Sequence, residues 1–342
     1  MKPGPDPAAR RRLLGGVAAL AGLAWAGAGR AAAPGPAPGV APAAGAGARA
    51  REETASGGGV AAAAAPAGPV EVIDDRGLRL RLPRPARRIV SIAPHLAELA
   101  FAAGAGERLV GVSAYSEHPA AARRLPRIGD SNGLDLERIL ALQPDLVLAW
   151  DGGTPERQLA RLDALGLPVF HDHPRRLADI AHSIERIGRL AGCAPQAEAA
   201  GAALRARLAA LRAAAAGKPP VRVFFQVWHQ PLLTVSGRHL IDELIGLCGG
   251  VNVFAGLRPV VPQLGLEAVL REDPELMIAT AEPGLPDPLA PWRAWPGLRA
   301  VARGQLLRLD GGELGQPTPR MLDTVGPICA AMEAVRARRV GR

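Results

Sequence analysis

The run from Pro195 to Gly217, PQAEAAGAALRARLAALRAAAAG, most restricts the architectures open to this chain. Alanine, leucine, arginine, glutamine and glutamate are strong helix formers, Pro195 suits a first helical turn, and Gly217 followed by Pro219 supplies a stop. One long helix is predicted. At about 1.5 Å per residue, a helix of roughly twenty residues reaches about 30 Å, the width of a small lobe. Leu204, Leu208 and Leu211 recur at helical spacing and are expected to face the protein, with Arg205, Arg207 and Arg212 outward. The stretches before and after the run carry similar strand-helix punctuation, so it reads as a strut between two halves. An ordinary surface helix within one lobe is the alternative.

Composition bounds the rest. A chain of 342 residues has room for about two domains. Its hydrophobic fraction of 48% contains only 3% aromatic residues, so alanine inflates the apolar count. Arg10, Arg11 and Arg12 precede an apolar stretch from Leu13 to Ala28, and Ala31 to Ala33 offers a small-residue cleavage site. Those are the three parts of a secretory signal, on either the general or the twin-arginine route. From Pro34 to Pro69 the chain is alanine, glycine and proline with almost no large side chain, which predicts a disordered tether. Of the net charge of +9, the first 69 residues hold +4 and the last ten +3, leaving +2 for the body. Such a body gives no electrostatic reason to expect nucleic acid.

In the first half, EVIDDRGLRLRL from Glu71 to Leu82 reads as a hairpin turning at Asp75 to Gly77. Strands are then expected at 88–93, 108–114, 145–150 and 168–171, with helical segments through Leu96 to Ala100, Leu134 to Leu142 and Pro155 to Leu165. Strands alternating with helices imply a parallel sheet covered on both faces, with ligands collecting beyond the carboxyl ends of the strands. The residues at those ends are Pro94, His95, Tyr115, Asp130 to Asn132, Trp150 to Gly153, and His171 to His173. Most of them are neutral or acidic. Gly152 and Gly153 either admit a close backbone approach to a ligand or only make a turn. The triplet His171-Asp172-His173 invites a metal reading, but its spacing supplies no third and fourth donors.

The second half repeats the punctuation. A buried strand at 221–227 is followed by Trp228 and His229; helices are expected at 240–247, 266–270 and 292–301, strands at 276–279 and 305–309, a loop from Gly311 to Pro319, and a closing helix from Met321. Of three cysteines, Cys193 adjoins the long helix while Cys248 and Cys329 share the second half. In an exported protein two of the three can pair, and spacing prefers Cys248 with Cys329 without closing the other two pairings. No GxSxG elbow or HExxH accompanies Ser91 and Ser113, so a secreted hydrolase lacks its catalytic set.

The stretches RIVSIAPHLAELAFAAGAGERLVGVSAYSEHP, LDLERILALQPDLVLAW, RVFFQVWHQPLLTVSG, LCGGVNVF and TPRM occur in order between Arg88 and Ala334. Together they resemble the periplasmic cobalamin-binding proteins of corrinoid ABC importers, within the iron-siderophore and corrinoid binding-protein superfamily. The resemblance implies an α/β fold of two Rossmann-like lobes joined by one rigid backbone helix. The chain then divides into a signal peptide at 1–33, a linker at 34–69, an N-terminal lobe at 70–194, an interlobe helix at 195–217 and a C-terminal lobe at 218–338.

It implies that Tyr115 packs on the corrin and that Trp150 lines the pocket, with Pro94, His95, Asn132, Asp151, Gly152, Trp228, His229 and the loop Asp310, Gly311, Gly312, Glu313 and Leu314 around the ligand. Glu137 and Glu267 match two lobe-tip glutamates that pair with arginines of a membrane permease dimer, and Cys248 and Cys329 match the family disulfide. Where the family carries further aromatics this chain has Ser131, Asn132, Val261, Gly311 and Gly312. The implied protein is a monomeric carrier without a cofactor or an enzymatic activity. A ferric siderophore or haem is the alternative ligand, the latter with His95, His171 or His229 as axial donor.

Overall fold

Apolar runs bounded by proline, glycine or aspartate become buried strands in this chain, and amphipathic segments between them become the helices that cover those strands. The computed structural model describes residues 68–281, 284–310 and 312–340. The signal and nearly all of the tether expected at the N-terminus lie outside the described residues, as does Gly311.

A hairpin of β1 (Val70–Ile73) and β2 (Arg79–Leu82) opens the fold, with Gly77 at φ +78° in its turn. The first sheet holds β3 (Ile89–Ser91), β4 (Leu109–Val112), β5 (Leu146–Trp150) and β6 (Val169–Asp172), all parallel in the order β4-β3-β5-β6. Helices α1 (Pro94–Ala102), α2 (Leu136–Ala141), α3 (Glu156–Asp163) and α4 (Leu177–Leu190) accompany it. Next comes the long helix α5 (Ala194–Ala215). The second sheet holds β7 (Val221–Trp228), β8 (Leu233–Thr234), β9 (Gly250–Asn252), β10 (Leu276–Ala281) and β11 (Leu306–Asp310). Its order is β11-β10-β7-β8 with β9 parallel beside β7, and only β8 runs antiparallel. Helices α6 (Leu240–Leu247), α7 (Leu266–Glu272), α8 (Arg299–Ala302) and α9 (Val325–Val340) complete it.

Setting aside the two-residue β8, both sheets are wound alike. The first strand, β3 or β7, has the second on one side and the third on the other. The chain therefore switches direction across the sheet between β3 and β5, and again between β7 and β10, where open α/β sheets form their ligand crevices. Sequence repeats at the same places: LDLERIL (134–140) leads through α2 toward β5, and LGLEAVL (264–270) leads through α7 toward β10.

Burial explains why the halves hold together. On one side of the first sheet Val90, Ile92, Ile128, Ile139 and Leu162 form their own cluster, and Phe224, Phe254, Met277 and Trp292 form another in the second lobe. The remaining buried apolar residues make one continuous core that includes α1, α4, α5, α6 and α9 and so runs through both lobes. Helix α5 contributes Ala197, Leu204 and Leu208, with Leu211 half-buried. Its arginines face outward as expected and find partners there: Arg205 with Glu185 of α4, Arg207 with Asp323, and Arg212 with Glu243 of α6. Helices α4 and α5 approach so closely that a Cβ on Gly188 would sit 2.1 Å from the Ala197 Cβ. Cys248, at the end of α6, and Cys329, in α9, form a disulfide, and Cys193 is free.

Four sequence expectations are corrected. Helix α4 was not anticipated; it lacks a Ser, Thr, Asn or Asp at its N-cap, and Asp179 instead reaches back to the Arg175 and Arg176 amides. The helical segment expected from Trp292 to Val301 is broken at Pro296 and Gly297 into a 3-10 turn (Ala290–Ala294) and α8. Strands β8 and β9 are too short to show periodicity. The loop expected from Gly311 to Pro319 contains a 3-10 turn at Gly312–Gly315.

Candidate functional site

Parallel strands place all their carboxyl ends on one side. In the first lobe those ends carry Pro94 after β3, Tyr115 beyond β4, Trp150 to Gly153 at β5, and His173 to Arg175 after β6. The second lobe offers Trp228 and His229 at β7, Asp310 at the end of β11, and the turn that begins at Gly312. A cleft of about 460 Å³ lies between these two sets. Trp150, Gly152, His173, Pro174 and Arg175 line it from the first lobe; Arg238, His239, Leu240, Val260, Leu314, Gly315, Pro317 and Met321 line it from the second. Its size suits a small-molecule site, and its wall is about evenly apolar and polar.

Trp150 is fixed in place. Cβ atoms on Gly152 and Gly153 would fall 2.5 Å and 2.1 Å from atoms of its indole, so only glycine lets the loop lie against the ring. The His95 ring meets it at 4.8 Å and 78°. The close approach that these glycines permit in the structure is to the Trp150 ring of the same chain.

Behind Trp150 a polar pair is shut away from water. His95 is 1% exposed and Asp172 is 0% exposed; His95 Nε2 and Asp172 Oδ2 stand 4.0 Å apart, and neither has a hydrogen-bond partner. Burial pushes the His95 imidazole down to about 3, leaving it neutral. Burial also pushes the Asp172 carboxyl up to about 7, against the opposing hydrogen bond from Ser183 Oγ at 2.5 Å; Asp75 and Asp151 raise it further and Arg186 lowers it. The folded chain then keeps a proton on Asp172 that the unfolded chain releases, so this group's contribution to stability falls as pH rises from its ordinary value of 3.8 to about 7. His95 acts oppositely, its contribution rising with pH from about 3 to 6.5. Asp172→Asn is expected to match the parent near pH 5 and to exceed its stability by about 2 kcal/mol at pH 8, measured by urea unfolding at both values.

Asp151 faces other side chains rather than the cleft wall. His171 Nδ1 and Arg76 Nε lie 2.7 and 2.5 Å from its carboxylate, and His171 Nε2 lies 3.1 Å from Asp163. Burial alone would raise the Asp151 pKa, but the bonds from His171 and Arg76 outweigh it and hold the carboxyl below its ordinary value. This engagement corrects two expectations. His171, with both ring nitrogens facing carboxylates, and His95, buried, are unavailable as axial donors. The charged side chains on the cleft wall are arginines, Arg175 and Arg238, not acids. Nor does any group of three or more His, Cys, Asp or Glu side chains among the described residues suit a metal ion, the His171-Asp172-His173 triplet included.

Tyr115 is half exposed, with φ +64°, a conformation that costs a bulky residue about 1–3 kcal/mol. Arg127 Nη1 holds that turn by donating to the Ser113 and Ser116 carbonyls at 3.1 and 3.0 Å. Tyr115, expected to pack on the ligand, lies outside the lining of the cleft. Asn132 is exposed, its amide bonded to Asp130; Pro94 and Trp228 are half-buried, His229 and Gly312 exposed. Glu313 pairs with Arg320, and Leu314 reaches the cleft wall. Asp310 ends β11. Glu137 and Glu267, both exposed, occupy the second position of α2 and of α7, the equivalent helices of the two lobes.

Sequence reasoning missed Arg175, Arg238, His239 and Val260. Their signal was slight: Arg175 stands just beyond the histidine triplet, and Arg238 one residue past the stretch that ends at Gly237. His239 caps α6, its Nδ1 accepting the Ile241 amide at 3.1 Å, and burial pushes its imidazole down to about 4. His173 is also held below its ordinary value, by burial first and then by the Arg175 charge, against Asp151 and Asp75.

Comparison with known proteins follows the same lines. The periplasmic binding protein family matches residues 89–311. The vitamin B12-binding protein of Vibrio cholerae serotype O1 is 38% identical over 255 residues, 74% of this chain and 92% of that relative. The crystal structure of the periplasmic vitamin B12 binding protein BtuF of Vibrio cholerae is similar at TM-score 0.66 and 36% identity, over 73% of this chain and 98% of that one. The periplasmic haem-binding protein RhuT from Roseiflexus sp. RS-1 is similar at TM-score 0.65 and 26% identity, over 73% and 99%. With two like-wound lobes, a cleft between their strand ends and these relatives, the chain belongs to the periplasmic binding protein family, whose members carry solutes and are not enzymes.

Proposed function

We propose that this protein captures a cobalamin-like corrinoid in the interlobe cleft and delivers it to the permease of an ABC importer. The observation that carries the reading is Trp150, a tryptophan locked by glycines at the switch point of the first sheet and lining a cleft in a fold shared with vitamin B12-binding relatives. A broad macrocycle takes apolar contact from Trp150, Leu240, Val260, Leu314 and Met321. Tyr115, Trp228, His229 and the turn from Gly312 to Leu314 extend that surface around the cleft mouth. Lobes at 70–194 and 218–338, joined by the helix at 195–217, grip the ligand, and the N-terminal signal exports the chain to the periplasm. No helix among the described residues is long and apolar enough to cross a membrane.

Titration of the purified chain with cobalamin, cobinamide and haem, followed by absorbance and calorimetry, tests this. Cobalamin is expected to bind, and Trp150→Ala to weaken it at least about tenfold, the loss of a large aromatic contact. Binding of haem without any corrinoid would overturn the reading in favour of haem. That second reading has its own support in His173, a histidine on the cleft wall whose lowered pKa favours the neutral form that ligates iron.

The exposed Glu137 and Glu267 are assigned to the permease. Rim carboxylates govern association and register more than affinity. Replacing both by Ala is expected to leave ligand affinity unchanged while impairing uptake in cells that depend on the importer.

A further inference from the structure

We infer that the cleft is built for a ligand bearing an anionic group, seated between Arg175 of one lobe and Arg238 of the other. The inference rests on the corrinoid reading and narrows it to corrinoids that carry a phosphodiester.

Among the described residues that line the cleft, only these two side chains carry a fixed charge and none is a carboxylate. The Arg175 guanidinium has no hydrogen bond or ion pair among the described residues; only its backbone amide is engaged, by Asp179. Arg238 donates from Nη1 to the Arg258 carbonyl at 3.2 Å, which leaves most of its donors unused. Other arginines nearby are satisfied: Arg76 by Asp151 and Asp163, Arg176 by Glu243, and Arg320 by Glu98 and Glu313. The acids that might have neutralised the cleft are thereby occupied elsewhere.

Two unpaired guanidinium groups on the wall of one concavity offer planar, forked donors to phosphate or carboxylate oxygens. His173, on the same wall, is held below its ordinary value by burial first and by the neighbouring Arg175 charge second. His239, whose Nδ1 is taken by the Ile241 amide, keeps its Nε2–H as a further donor. A ligand anion entering here also joins one arginine from each lobe, so its charge helps hold the two lobes on the ligand.

The test compares cobalamin, which carries a nucleotide-loop phosphodiester, with cobinamide, which does not. Calorimetric titration is run on the full mature chain, on Arg175→Gln, on Arg238→Gln and on the double variant, at low and at raised salt. Each single substitution is expected to weaken cobalamin about tenfold, the usual range for a charge-assisted contact, and to leave cobinamide within about twofold. Raised salt is expected to weaken cobalamin binding to the parent and to have little effect on the double variant. Both arginines are exposed, so unchanged melting curves are the control for folding.

Equal losses for both corrinoids, or no loss for either, would overturn the inference while leaving the corrinoid reading intact. If neither corrinoid binds, that reading fails separately. Haem and haem dimethyl ester then decide the inference: dependence on both arginines for the free propionates alone sustains it, and equal binding of the two, or of neither, ends it.

Discussion

Serine at both Cys248 and Cys329 is expected to lower the free energy of unfolding by about 4 kcal/mol, the largest loss predicted for this molecule. The bridge joins residues 81 apart in sequence, and the entropy removed from an unfolded chain by closing such a loop corresponds to about that amount. The folded state has other means of holding α9. Ile328, Met332 and Val335 are buried in the shared core, and Arg336 donates to the carbonyls of Pro219, Cys248 and Gly249. Because those contacts survive substitution, the effect acts through the unfolded ensemble. Ligand affinity is therefore expected to stay within about twofold while the urea midpoint drops. A change below about 1 kcal/mol would mean that the unfolded chain is already compact around this pair.

The second large effect concerns Arg320. This residue, in the 3-10 turn Pro319–Thr324, makes a two-pronged bond to Glu98 of α1 in the other lobe, at 2.8 and 2.9 Å, and a third bond to Glu313 at 3.0 Å. The hydrogen bond that Arg320 donates to Glu98 is the first cause that holds its pKa above the ordinary arginine value. Arg320→Met is expected to cost about 3 kcal/mol, because Glu98, only 9% exposed, keeps a charge with its partner gone. Part of the usual penalty for a buried pair is withheld here because Arg320 itself remains partly exposed. Glu98→Gln is expected to cost less, about 1 kcal/mol, since Arg320 retains Glu313. The double variant is expected to be more stable than Arg320→Met alone. Urea unfolding of the three variants measures the coupling; purely additive losses would show that the tie contributes little across the lobes.

Much of the architecture was legible because periodicity and breakers agreed along the chain. The long helix is bounded within two residues of its prediction, since alanine and leucine propensity, Pro195 and Gly217 all point the same way. The alternation of strands and helices likewise gave both parallel sheets. Helix α4 escaped because its terminus is capped from inside, by Asp179, rather than by a side chain preceding it. Within the site, Trp150, Gly152 and Leu314 reach the cleft wall, whereas Asp151 turns to a partner that no spacing could reveal, Arg76, 75 residues away, and His95 is buried against the Trp150 ring. Charge was misread for the same reason. The acids beside the strand ends are neutralised by distant arginines, and the arginines that line the cleft sit just past the strand ends.

The glycine loop around Trp150 bears on speed as well as shape. An indole wedged between Gly152, Gly153 and the edge of His95 occupies one rotamer before any solute arrives. Little torsional freedom remains for it to surrender on encounter. In the proposed function, capture at this wall then proceeds without a side-chain search, and differences among solutes are expected in how long each stays rather than in how quickly it enters.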